Sequence, residues 1–162
     1  MAVRQVRYMG DEILTKPCKP VKEMTPRIKE LIEDMFETMY ESYGCGLAAS
    51  QVGVLKQIVT IDVDDGNQYV LINPEIIEEE GSQTGPEGCL SLPGKSGTVT
   101  RPKKVKVRAY DENMNLYELE GEDLLARAIC HECDHLKGEL YVDLVEGELV
   151  DVSSDDDGEA EE

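Results

Sequence analysis

His131 and His135 are the only histidines in this 162-residue chain, four positions apart in AICHECDHLKG, residues 128–138. On a helix that spacing puts both imidazoles on one face, where two ring nitrogens can grip one ion. Glu132 lies about 100° further round the helix, close enough for its carboxylate to take a proton from a water beside that ion. Two surface histidines sharing a face by chance is the plain alternative, and the intervening glutamate weighs against it. A catalytic ion typically takes three protein ligands and keeps one position open for water. Cys130 and Cys133 are near in sequence but fall off the shared face, so both read as packing residues. The third ligand has to come from elsewhere in the fold.

Two other stretches carry residue types suited to a site. PEGCLSLPG, residues 86–94, is bounded by glycine and proline and reads as irregular chain beside a strand. Cys89 within it serves equally well as a thiolate ligand or as a small buried residue. Glu87 is expected to form a structural pair, with Arg101 as its candidate partner. In GCGLAASQVG, residues 44–53, Gly44 and Gly46 allow close approach of a ligand to the backbone. Gln51 is either a surface amide or a donor to a developing oxyanion. The stretch lacks the lysine and hydroxyl residue of a phosphate loop.

These residues need elements to position them. Residues 25–43 predict a helix, with Thr25 as N-cap, Pro26 at the first position and Gly44 after the end. Its apolar face is Ile28, Leu31, Ile32, Met35, Phe36, Met39, Tyr40 and Tyr43. A second helix is expected from about Glu122 to Leu136, stopped at Gly138. QIVTIDV and QYVLINP flank DDGN as a hairpin, and KVKVRAYD and NLYELEG flank a turn around Glu112 and Asn113. Residues 76–80 read as extended, and Gly94 to Val99 as flexible. The sum is one α+β domain over residues 1–150, mostly antiparallel in its sheets.

The bulk composition narrows the function classes. Sixteen bases against 35 acids give a net charge of −19, which disfavours nucleic acid and anionic membranes as ligands. Residues 151–162 form an acidic tail expected to stay disordered. No stretch has signal-peptide or membrane-span length, so a cytoplasmic setting is expected. Five cysteines without framework spacing favour metal or catalytic use over disulfides.

In order along the chain, Gly44-Cys45-Gly46-Leu47-Ala48-Ala49-Ser50-Gln51, Glu87-Gly88-Cys89-Leu90-Ser91 and His131-Glu132-Cys133-Asp134-His135 resemble the three motifs of the peptide deformylases, GxGLAAxQ, EGCLS and HExxH. All fixed positions match, and the resemblance runs from the start of the chain to about Leu144. It implies small, mostly antiparallel sheets around a central helix carrying HExxH. It further implies that Cys89, His131 and His135 hold one divalent metal ion per chain, usually Fe²⁺. Zn²⁺, Ni²⁺ or Co²⁺ also suit these ligands. The implied reaction is hydrolysis of the N-formyl group from the formylmethionine of newly made polypeptides, releasing formate. Glu132 would act as base and then acid, with the Gln51 side chain and the Leu90 backbone N–H stabilising the oxyanion. The peptide would lie extended against the backbone at Gly46 and Gly88, with Cys45, Leu124 and Ala128 as walls of a methionine pocket.

Two features depart from the family. Cys130 stands where relatives often carry glutamine. The acidic tail replaces the basic C-terminal helix that some relatives use to dock on the ribosome, so transient ribosome contact would need another route. The rival readings are an HExxH zinc endoprotease, whose third ligand would be a downstream Glu or His, and a non-catalytic protein with a closed structural ion, which needs a fourth ligand.

Overall fold

The structure, a computed structural model, describes residues 2–152. Helix α1 spans Pro26–Glu41, and the Thr25 hydroxyl caps it by accepting from the Ile28 N–H at 3.2 Å. Its inner face buries Ile28, Leu31, Ile32, Met35 and Met39, together with Asp34 and Thr38. Two residues expected on that face are not part of it. Tyr40 is exposed, and Tyr43 stands beyond the helix at φ 59°, where the left-handed turn swings it into solvent.

Eight strands follow: β1 (Gly46–Ala48), β2 (Ile58–Ile61), β3 (Tyr69–Glu80), β4 (Gln83–Cys89), β5 (Leu92–Arg101), β6 (Lys104–Tyr110), β7 (Leu116–Glu122) and, after helix α2 (Leu124–Leu136), β8 (Glu146–Asp151). They form a five-stranded sheet in the order β1-β2-β3-β6-β7 and a three-stranded sheet in the order β4-β5-β8. Every pairing between these strands is antiparallel. Both expected hairpins form, β2 with β3 and β6 with β7. The extended residues 76–80 are the outer end of β3.

Three expectations are corrected. PEGCLSLPG is not irregular chain: it is the tip of the β4–β5 hairpin, with Cys89 opposite Leu92. Pro86 and the glycines are tolerated because β4 is an edge strand with no ladder on its outer side. Residues 94–99 lie within β5, which is paired on both sides because β8 returns from the chain's end to cover it. Glu122 closes β7 opposite Lys104 rather than opening the helix. Asp123, at φ 56°, makes the turn into α2.

Helix α2 is buried almost throughout and lies on the larger sheet. Gly121 permits that approach, since a Cβ there would meet Leu125 Cγ at 2.9 Å and Ile129 Cδ1 at 3.0 Å. Leu125, Ala126, Ile129, Cys130 and Cys133 join Val59, Ile61, Leu71, Val105 and Val107 in the main core. Asp151, the first residue of the acidic segment, ends β8 and ion-pairs with Lys95. Residues 153–162 of that segment lie outside the described residues. No helix among the described residues is long and apolar enough to cross a membrane.

Candidate metal centre

Each part of the centre is delivered by a different element. His131 and His135 project from one face of α2, and the β4–β5 hairpin tip brings Cys89 over them. The His135 Nε2 lies 3.3 Å from Cys89 Sγ and 3.2 Å from His131 Nε2. All three donor atoms fall within 4.8 Å of one another, and these three residues make up the whole cluster among the described residues.

This donor set fits a divalent ion. Typical bond lengths to sulfur and imidazole nitrogen in a tetrahedral site separate the donors by roughly 3.4–3.6 Å, close to the distances seen. The tautomer fits as well. His131 Nδ1 contacts the Glu87 carboxylate at 2.5 Å, which holds the ring with its Nε2 lone pair toward the other two donors.

Glu87 is itself held hard. Its Oε2 accepts from Arg101 Nη2 at 2.6 Å, and its Oε1 from Arg101 Nε at 3.1 Å and Arg127 Nη1 at 2.8 Å. Arg101 Nη1 then reaches Asp134 on α2 at 2.7 Å. Burial pushes the Glu87 carboxyl up, but the hydrogen bonds from His131 and Arg101 outweigh it and hold it down at about 2. The expected Glu87–Arg101 pair is therefore present. Its link to His131 and its second cation, Arg127, had no signal in local sequence, because the partners lie 44 and 40 residues away.

Glu132 is 4% exposed, and its Oε1 has no hydrogen-bond partner among the described residues. Burial pushes its carboxyl up to about 7, so it can exchange a proton near neutral pH. Gly46 makes room for it, since a Cβ there would stand 2.8 Å from Glu132 Oε2. Gln51 is buried, not a surface amide. Its Oε1 accepts from the Ala48 N–H at 2.9 Å, which turns Nε2 toward Ser91 Oγ at 3.0 Å and Cys89 Sγ at 3.5 Å. Cys130 and Cys133 are core residues with thiols pushed up by burial to about 12.

A cleft of about 1020 Å³ opens in front of these groups. Cys45, Gly46, Gly88, Leu90, Leu124 and Ala128 all line it, with Glu87, Cys89, His131 and Glu132. It runs between the outer edge of β1 and the outer edge of β4, each an end strand of its sheet. An extended peptide could therefore pair with backbone on both sides.

Comparison with known proteins agrees with this geometry. Residues 3–149 match the family model described as polypeptide deformylase. The peptide deformylase of Agathobacter rectalis is 62% identical over 156 residues, covering 96% of this chain and 98% of that protein. That of Lachnoclostridium phytofermentans is 60% identical over 163 residues, covering 99% and 100%. Among solved structures, a peptide deformylase from Legionella pneumophila superposes with a TM-score of 0.86 at 44% identity, covering 89% of this chain and 86% of that one. The Synechococcus elongatus enzyme in complex with actinonin gives 0.85 at 44% identity, covering 88% and 79%. Relatives this similar over nearly the full length, on the same fold, leave one conclusion: the chain belongs to the peptide deformylase family.

Proposed function

We propose that this protein is a metal-dependent deformylase, a hydrolase that removes the formyl group from the N-terminal formylmethionine of new polypeptides. The observation that carries this reading is the convergence of Cys89 Sγ and the two Nε2 atoms beside the buried Glu132 carboxylate, at the head of a cleft. Cys89, His131 and His135 would hold one divalent ion, with Fe²⁺ as the cellular metal and Zn²⁺, Ni²⁺ or Co²⁺ as substitutes. When bound there, such an ion would acidify a water and polarise the formyl carbonyl.

The chain's own groups do the remaining work. Glu132 takes a proton from the attacking water and returns it to the departing amine. The Gln51 Nε2 and the Leu90 backbone N–H donate to the formyl oxygen as it gains charge. Glu87 keeps the His131 ring in the required tautomer. The peptide lies extended along Gly46 and Gly88, with its methionine side chain against Cys45, Leu124 and Ala128. Residues 1–150 act as one catalytic domain in the cytoplasm, with Asp151 still held in β8 at the start of the acidic segment 151–162. That charge steers any transient ribosome contact away from the chain's end, and neither membrane nor nucleic acid is a partner.

The test is formate release from formyl-Met-Ala-Ser by protein purified without oxygen and loaded with each metal in turn. Activity that disappears in Glu132→Ala while the metal is retained supports the reading. Casein cleavage without formate release would replace it with an endoprotease.

A further inference from the structure

We propose that Arg127 is a specificity-determining residue that reads the sulfur of the bound methionine. The inference rests on the deformylase reading and concerns the same cleft. Arg127 lines that cleft along α2 together with Leu124, Ala128 and His131, which lie three before it and one and four after it. Its side chain is only 10% exposed, so its position is fixed. Nη1 is committed to the Glu87 carboxylate at 2.8 Å and to the Val99 carbonyl at 3.2 Å. Nε and Nη2 have no partner among the described residues, and neither is sealed from solvent. Those two nitrogens share one edge of the guanidinium plane, so a fixed cation in the cleft wall keeps N–H donors that no protein group takes up; Nη2 stands 3.6 Å from where a Cβ on Gly85 of β4 would lie.

Beside Arg127 this helical wall is apolar, and its polar members, His131 and Glu132, belong to the metal centre. Leu124 and Ala128 flank Arg127, and its own methylene stem extends their surface. An apolar wall with a single open donor edge suits a ligand that is apolar along its length and carries one acceptor. The methionine side chain has that form: unbranched, with a polarisable sulfur that accepts weakly. A neutral acceptor is enough, because the positive charge of Arg127 is already offset. Glu87 and Asp134 balance Arg101 and Arg127 within one connected network. Norleucine matches methionine in length but offers no acceptor. Binding it would strip water from the Arg127 edge and leave nothing in its place.

The experiment compares kcat/KM for formyl-Met-Ala-Ser and formyl-norleucyl-Ala-Ser in wild type, Arg127→Met and Arg127→Lys, all at matched metal content. Wild type is expected to prefer methionine by about three- to ten-fold, chiefly through KM, as one modest hydrogen bond would give. In Arg127→Met the ratio should fall toward one, and Arg127→Lys should keep part of it. Losing the bond to Glu87 would slow both peptides alike, so the ratio isolates the sulfur contact from any structural role. Equal use of both peptides by wild type, or an unchanged ratio in Arg127→Met, overturns the proposal. The wild-type ratio stands as a test even if a variant fails to fold. Absence of any turnover of formyl-Met-Ala-Ser would instead refute the deformylase reading itself.

Discussion

The two sides of helix α2 carry the same residue type in opposite roles. Toward the cleft, the hairpin-borne Cys89 meets His131 and His135 at ligand distances. Toward the sheet, Cys130 and Cys133 sit among Val, Ile and Leu side chains, their thiols pushed up to about 12 by burial. Cys130 and Cys133 also border a second cavity of about 440 Å³ with Asp134 and Arg101, yet no imidazole faces them there. What separates a ligand from a packing residue is the company a thiol keeps, not its nearness in sequence to a histidine.

Four substitutions would break or sharpen this contrast. Glu132→Ala should lower kcat by about 10²–10⁴-fold, the usual loss of a general acid–base. Metal analysis of the same protein should show full occupancy, since Glu132 lies outside the donor cluster. Glu87→Gln should weaken metal binding by about 10–100-fold, as loss of a supporting carboxylate does. It also leaves Arg127 without its carboxylate, while Arg101 keeps Asp134, lowering stability by about 3–5 kcal/mol. Chelator competition and urea unfolding read the two effects separately.

Gly46→Ala is a subtler probe. The new methyl would press on Glu132 Oε2, and activity should drop by about ten-fold, within the range that misplacement of a reacting group produces. Metal content should stay constant. On the other side of the helix, Cys133→Ala should cost only about 1–2 kcal/mol of stability, with metal content and formate release unchanged. Loss of metal from Cys133→Ala would erase the distinction between the two sides.

Sequence and structure agree most closely where a signal is local. Thr25 and Pro26 mark the start of α1, DDGN marks a hairpin, and the i, i+4 histidines share a helical face as their spacing requires. The three motifs with chemistry in them converge on one cleft. What stayed hidden depends on partners far apart in the chain. Residues 94–99 read as flexible until β8 supplies the second ladder, and Gly97 makes room for that return, since a Cβ there would collide with Val145, just before β8, at 2.5 Å. Arg127 draws no attention in its own stretch of sequence, because its partner Glu87 lies 40 residues earlier. The boundary of α2 moved for the same reason, since Glu122 is claimed by β6.

The quartet of Glu87, Asp134, Arg101 and Arg127 has a consequence for how the protein matures. Its four charges neutralise one another through bonds between side chains alone, so the hairpin can seat on α2 before any ion arrives. In a zinc finger the metal drives folding. Here the side chains around the donors balance their own charge, and swapping one metal for another need not disturb the architecture around it.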